Sequence, residues 1–399
     1  MAVADKGLSG ASAGSSILND ERYRSVFYQI VVFGLIAWTG YYLIANTANN
    51  LQSRGMSVGL DFLSGEAGFS IAWSLLEFKP NDSYFWVYLI GITNTLIVSF
   101  IAIILTTILG FFVGIMRLSS NWLVSNLAGW YVEILRNTPL LLQIIFWYLG
   151  VFSLLPRPKQ SLDFGGAELF FLNNRGFYMP KAVPGELFWI TVIAILVAIA
   201  GAIYLTHRSN RIQEATGEYH SAFWPSLALL IGLPLAVFFA SGSPLGFEIP
   251  ALKGFNFRGG GRIPPAMCAL LIALVIYHSS YAGEMVRAGI MSVSHGQTEA
   301  SYSLGLKPSW TMRLVIIPQA MRAIIPPMIS LWMNVVKNSS LAIAIGYPDI
   351  VSVFMQTSLN QSGHAIEIVA MVMLFYMTVS LSISAALNVY NKHVQLKER

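Results

Sequence analysis

The stretch from Ser294 to Pro318, SHGQTEASYSLGLKPSWTMRLVIIP, holds the spacing with the clearest chemical meaning in this chain. Ser294 followed by Gln297 has capping-box spacing, which predicts a helix start. Ala300 and Leu304 then fall on one helical face. Gly305 supplies a stop, because it takes a left-handed conformation cheaply. Pro308 and Ser309 begin a second helix that feeds the next apolar run. The expected product is a short helix with one acid, Glu299, set among the small residues Gly296, Ala300 and Ser301. Small side chains let another protein's surface approach closely, so the chemistry on offer is contact with a partner rather than bond-making.

The second set of candidates comprises polar groups inside apolar runs, which are costly unless they face a cavity or a partner. Lys337 stands beside Asn338, Ser339 and Ser340. It has two readings: a contact for a substrate carboxylate, or a structural cation that bonds a broken helix or pairs with Glu367. Glu367 in turn either receives a substrate ammonium or sits at the interface. Asn94, Thr95 and Gln143 either line a path or join helices. Gly110 and Gly114 form a small-xxx-small pair suited to helix packing. Pro326 and Pro327 are expected to kink or start a helix.

Other chemistries have no footing. The sequence has no G-x-x-x-x-G-K-[ST] phosphate loop, so it cannot hydrolyse ATP by that route. It has no nucleophile elbow, HExxH or dinucleotide fingerprint. The six histidines lack zinc-site spacing, and the one cysteine, Cys268, permits no internal disulfide. No metal site or bound cofactor is expected, and no basic patch suits a nucleic acid.

The elements that position these residues follow from composition. Hydrophobic residues make up 55% and charged residues 11%, against about 25% charged in soluble domains. The bilayer is the matching solvent, and a spanning helix needs roughly 20 apolar residues. Eight segments qualify: 25–45, 87–116, 140–155, 187–205, 223–240, 266–281, 324–345 and 365–387. The fold class is therefore all-α, a polytopic membrane protein of about eight spans. The N-terminal run is too long for a signal-peptide core and reads as a retained helix.

Lys and Arg set the orientation. Arg22 and Arg24 precede the first span; Arg287, Lys307, Arg313 and Arg322 flank the Ser294 loop; Lys392, Lys397 and Arg399 end the chain. These sites are expected to be cytoplasmic, so both termini lie inside. Ser241–Pro265 argues against this, since it lies outside in that scheme yet holds Lys253, Arg258 and Arg262. The expected organisation is a tail (1–24), a first helix with an external loop (25–86), the first part of a core (87–155), an insertion with two external loops and two spans (156–265), the second part of the core (266–388, with the loop at 294–318), and a tail (389–399).

Glu299-Ala300-Ser301, then Gly305, then Val315-Ile316-Ile317-Pro318 resembles the EAA loop of ABC importer permeases, whose pattern is Glu-Ala-Ala, three residues, Gly, nine residues, Ile-x-Leu-Pro. The departures are Ser301, Val315 and Ile317; the spacing is kept. Three further segments resemble the polar amino acid permeases: Tyr281 to Arg287, Glu133 to Leu140, and Val336 to Leu341. Arg22 to Gln29, Gly59 to Leu63, Glu66 to Phe69 and the long insertion are similar to the Q-type permeases of general L-amino acid systems. The resemblance covers essentially the whole chain.

It implies a type I ABC importer transmembrane core in a bacterial inner membrane, with an inserted external region and helix pair. It implies a second related permease, two ABC ATPase subunits that hold ATP and Mg, and a periplasmic amino acid-binding protein. The cargo would be L-amino acids, of broad range. Gly296, Glu299, Ala300, Ser301, Gly305 and Pro318 would couple to the ATPase, with Glu284 and Arg287 supporting the loop. The rivals are an ion-coupled secondary transporter, which needs internal repeats or midplane carboxylates, and an intramembrane enzyme, which needs an acid, base or nucleophile cluster at one depth.

Overall fold

A computed structural model describes residues 21–53, 59–166, 168–218 and 221–394. Lys397 and Arg399, used above for orientation, lie outside the described residues, as do residues 1–20. Among the described residues, seven helices are long and apolar enough to cross a membrane, and a bent pair makes an eighth.

The long helices are α1 (Glu21–Ser53), α2 (Tyr84–Arg117), α3 (Trp122–Asn137) with α4 (Leu140–Ile145), α5 (Phe188–Thr216), α6 (Phe223–Ala240) and α7 (Pro265–Met291). They are followed by short helices α8 (His295–Ser303) and α9 (Pro308–Thr311), then α10 (Ile317–Asn338), one turn α11 (Leu359–Ser362) and α12 (Ala365–Val394). α7 is the central post. Ala269, Leu270, Ala273 and Leu274 on it are fully buried, and α2, α3, α4 and α10 pack around it.

The α2–α7 seam is made of small residues. A methyl group placed on Gly110 would lie 2.3 Å from the Ala282 Cβ, and one on Gly114 would lie 2.7 Å from the Gly283 carbonyl oxygen. Backbones this close gain dispersion contact over a long interface, which is how helices associate where water cannot drive them together.

Three sequence expectations change. The segment 140–155 is the second arm of a bent span: α3 and the helix running to Leu154 meet at 102°. Thr138 is extended because Pro139 follows it. The run expected at 324–345 starts earlier, and the helical path from Pro308 to Ile345 passes through Pro326 and Pro327, which lie inside α10 and do not start it. The inserted loops carry strand as well as coil.

That strand forms a small antiparallel module. β1 (Leu162–Asp163), β2 (Phe171–Asn173), β3 (Gly176–Met179) and β8 (Gly261–Ile263) form one sheet in the order β1-β2-β3-β8. β4 (Lys181–Pro184) pairs with β5 (Leu245–Glu248), and β6 (Ala251–Lys253) with β7 (Asn256–Arg258). The two inserted segments are thereby stitched together, with Phe177 opposite Ile263 at the root of α7. The helix pair between them, α5 and α6, packs chiefly on itself. Helix α1 is exposed along its apolar length, with no buried residue there, a surface that only lipid or another subunit can cover.

Candidate functional site: the α8 loop and the buried polar groups

Helix α8 hangs from the end of α7, about 40 Å along that 27-residue helix from the strand module. Its start differs from the expected capping box. The Ser294 side chain makes no cap bond. Gln297 instead accepts, through Oε1, a bond from Gln319 Nε2 at 3.2 Å, which ties α8 to the first turns of α10. The end is as expected. Gly305 has φ +76°, its N–H donates to the Tyr302 carbonyl, and the Leu306 N–H donates to the Ser301 carbonyl. These two bonds are the paired closure of a Schellman cap. Pro318 lies in the first turn of α10.

The side chains divide cleanly. Ser301 is buried, with its hydroxyl donating to the Gln297 carbonyl at 2.6 Å. Gly296, Glu299 and Ala300 are exposed, and beside them Tyr302 and Leu304 stand 49% and 81% exposed. Among the described residues the Glu299 carboxylate pairs only within its own helix, with His295 Nδ1 at 3.1 Å. Of the three departures from the family pattern, the one on α8, Ser301, thus points into the loop and leaves the outward face unaltered. That face is an acid flanked by uncovered apolar groups, the composition of a contact surface rather than of a solvated turn.

Behind α8 lies an ionic clasp. Glu284 on α7 accepts from Arg117 at the end of α2 and from Arg287 one turn on, at 3.0 and 2.6 Å for the latter's Nε and Nη2. The three side chains are 22–30% exposed. Partial burial and one carboxylate accepting from two guanidinium groups make such a clasp stronger than a surface pair. Next to it the Arg136 guanidinium stands 4.8 Å over the Tyr281 ring, and the groups line a cavity of about 500 Å³ with Glu133 and Asn137. Three of the sequence segments singled out, at 133–140, 281–287 and 294–318, therefore flank one end of the bundle.

The polar residues of the membrane interior have specific partners. Asn94 Nδ2 donates to the Pro348 carbonyl at 2.8 Å and to the Trp73 carbonyl at 3.3 Å. Thr95 Oγ1 accepts the Ile350 N–H at 3.0 Å, and the Tyr347 hydroxyl donates to the Asn94 carbonyl at 2.9 Å. The segment after α10 folds back into the bundle, with Tyr347, Asp349 and Ile350 fully buried, and Asn94 and Thr95 hold its backbone. Gln143 Nε2 donates to the Leu135 and Thr138 carbonyls, 3.0 Å each. Leu135 lies in the last turn of α3 and Thr138 is its C-cap, and their carbonyls lack helical donors because the helix breaks at Pro139. In this conformation Asn94, Thr95 and Gln143 are engaged with backbone.

Asn338 bonds His278 Nε2 at 3.1 Å, while His278 Nδ1 lies 2.8 Å from the Leu274 carbonyl. A carbonyl can only accept, so Nδ1 carries the proton and Nε2 receives the Asn338 amide. Ser339 and Ser340 donate to the Val336 and Lys337 carbonyls. Lys337 is exposed. It makes no ion pair with Glu367 among the described residues; Glu367 Oε1 instead accepts the Gly59 N–H at 2.8 Å. Sequence reasoning missed His278 and Asp349. Asp349 accepts the Ser352 N–H at 2.9 Å through Oδ1, and its Oδ2 has no hydrogen-bond partner among the described residues. The usable signal was an acid and a histidine within largely apolar stretches.

Comparison with known proteins agrees with this architecture. The profile of the binding-protein-dependent transport system inner membrane component family matches residues 223–396. The putative amino-acid ABC transporter permease protein YhdX of Escherichia coli is 44% identical over 97% of this chain and 98% of its own length. The general L-amino acid transport system permease protein AapQ of Rhizobium johnstonii is 44% identical over 96% and 95%. The glutamate/glutamine/aspartate/asparagine transport system permease protein BztB of Rhodobacter capsulatus is 38% identical over 96% and 97%. The chain belongs to this family of ABC importer permeases, and it is a translocation subunit, not itself an ATPase.

Proposed function

We propose that this chain forms one half of the pathway of an ATP-driven importer that carries L-amino acids, over a broad range, across a bacterial inner membrane. A second, related permease supplies the other half. Two ABC ATPase subunits, which hold ATP and Mg, seat against the α8 loops from the cytoplasm. A periplasmic binding protein delivers the cargo from the other side. Both termini face the cytoplasm, as the basic residues at Arg24 and around the α8 loop suggest.

The observation that carries this reading is the outward face of α8: Glu299 and Ala300, with Tyr302 and Leu304 exposed, on a helix closed by a Schellman cap. A rigid helix clipped to α7 and α10 transmits displacement, whereas a frayed loop would absorb it. The Arg117–Glu284–Arg287 clasp stiffens the same end. In this reading the exposed Lys337, with Asn338 beside it, meets cargo or the second permease. Asn94, Thr95, Gln143, Ser339, Ser340 and Glu367 serve the path by holding its walls.

The test is amino acid uptake into proteoliposomes containing the complete complex with external binding protein, with and without internal ATP. Uptake must require ATP, and Glu299→Lys must abolish it and loosen the ATPase subunits. Ion-gradient-driven uptake by this chain alone, indifferent to Glu299, would replace this reading with a secondary transporter.

A further inference from the structure

The strand module carries an unexplained concentration of positive charge. Residues 156–186 and 241–265 hold seven Lys or Arg against four Asp or Glu. In the orientation proposed above these segments lie outside, where short loops of membrane proteins are poor in Lys and Arg. Basic residues kept there run against the rule that sets topology, so they call for a separate reason.

Their arrangement supplies one. An open cavity of about 750 Å³ is rimmed by Arg157, Lys159, Arg175 and Phe255. The three cations are exposed, and so is Arg262 beside them. None of the four makes an ion pair among the described residues. Arg262 Nε is occupied by the Arg175 carbonyl at 3.0 Å, which leaves the terminal nitrogens of both guanidinium groups without a carboxylate partner. Lys159 Nζ rests 5.1 Å over the Phe255 ring, and that ring is 78% exposed at a hairpin tip. The Oδ1 atom of Asn174, also on this cavity, is buried without a hydrogen-bond partner among the described residues.

The platform is braced by side-chain hydrogen bonds. The Asn173 side chain accepts the Arg175 N–H at 2.8 Å and donates to Ser161 at 2.9 Å. Tyr178 donates to the Asn256 side chain at 2.9 Å, and Trp73 donates to the Arg262 carbonyl at 2.9 Å. Strands β3 and β8 join it to the first turn of α7, the helix whose far end carries α8. Exposed Arg with an exposed aromatic on a fixed concave surface is the composition of a protein-contact centre. Unpaired cations at its rim select a partner of opposite charge.

We propose that this basic cavity is a docking site for an acidic surface of the soluble binding protein. The proposal rests on the importer reading and specifies where on this chain that partner lands. Contact there bears directly on the root of α7 and places the partner in line with the helix that ends at the coupling loop.

The test uses the complete complex in lipid nanodiscs, with ATPase stimulation measured against binding-protein concentration. The variant Arg157→Glu/Lys159→Glu/Arg175→Glu changes only exposed side chains. It should raise the binding-protein concentration for half-maximal stimulation about tenfold or more, with the maximal rate within about twofold of wild type. Replacing the same three residues by Gln should give a smaller rise. In wild type the half-maximal concentration should climb with salt, and in the Glu variant that climb should be lost. Both effects must persist in zwitterionic and in phosphatidylglycerol discs. A defect seen only in anionic discs would overturn the proposal in favour of a lipid headgroup contact. An unchanged half-maximal concentration in the Glu variant would overturn it outright. Absence of any binding-protein stimulation in wild type would instead count against the importer reading itself.

Discussion

The α2–α7 seam makes a prediction that one methyl group can decide. Gly110→Ala places a Cβ 2.3 Å from the Ala282 Cβ, a distance that must open by more than 1 Å to reach ordinary contact near 3.5 Å. Overpacking of this kind costs about 1–3 kcal/mol. Ala282→Gly, on the facing helix, removes a fully buried methyl and costs about 1 kcal/mol through helix propensity and lost contact. Combining the two moves the methyl from one helix to the other and leaves the seam filled. The double variant should therefore fall only about 1 kcal/mol below wild type, and the coupling energy should be about 1–3 kcal/mol in favour of the pair. The assay is reversible unfolding of the purified permease in mixed micelles, run as a four-member cycle. Additivity within about 0.5 kcal/mol is what independent sites show. That result would mean that the two helices do not meet at Gly110, and the seam argument would fail.

Three further outcomes follow from the same geometry. Gly305→Val forces a β-branched residue into the left-handed region at a cost of about 1–2 kcal/mol, so ATP-dependent uptake should drop while Gly305→Asn retains most of it; equal activity of the two would show that the Schellman closure is irrelevant to coupling. Gln143→Leu leaves the Leu135 and Thr138 carbonyls without side-chain donors, a loss of about 1–3 kcal/mol, readable as a lowered melting midpoint, whereas retained stability would mean other donors serve the bend at Pro139. Glu367→Gln keeps an acceptor for the Gly59 N–H and should preserve uptake, while Glu367→Leu should impair it; loss in the Gln variant would show instead that the negative charge itself meets cargo.

The order and number of spans were legible from apolar run length alone, because in lipid every backbone group must be satisfied within its own segment and only long helices do this. The α6 bounds 223–240 match the apolar run directly. The α8 loop was legible for a similar reason: a left-handed Gly at the helix end and a proline after it are local requirements, written in adjacent residues. Its N-terminal cap was misread, because Gln297 turned to Gln319, a neighbour supplied by another helix.

What the sequence could not determine are the partners of its buried polar groups. Lys337 and Glu367 looked like a candidate pair, yet Glu367 is occupied by a backbone N–H from residue 59. Asn94 and Gln143 carry nothing in their own neighbourhoods that says which carbonyls they serve; one holds a returning chain segment 254 residues away and the other mends a helix break. The strands of the insertion pair across a gap filled by two helices, so Phe177 meets Ile263 although α5 and α6 lie between them in the chain. Local chemistry sets helix length, helix ends and the outward face of the α8 loop. Long-range approach alone decides which polar group is satisfied, because the apolar interior leaves each donor no choice but the acceptor that packing brings within reach.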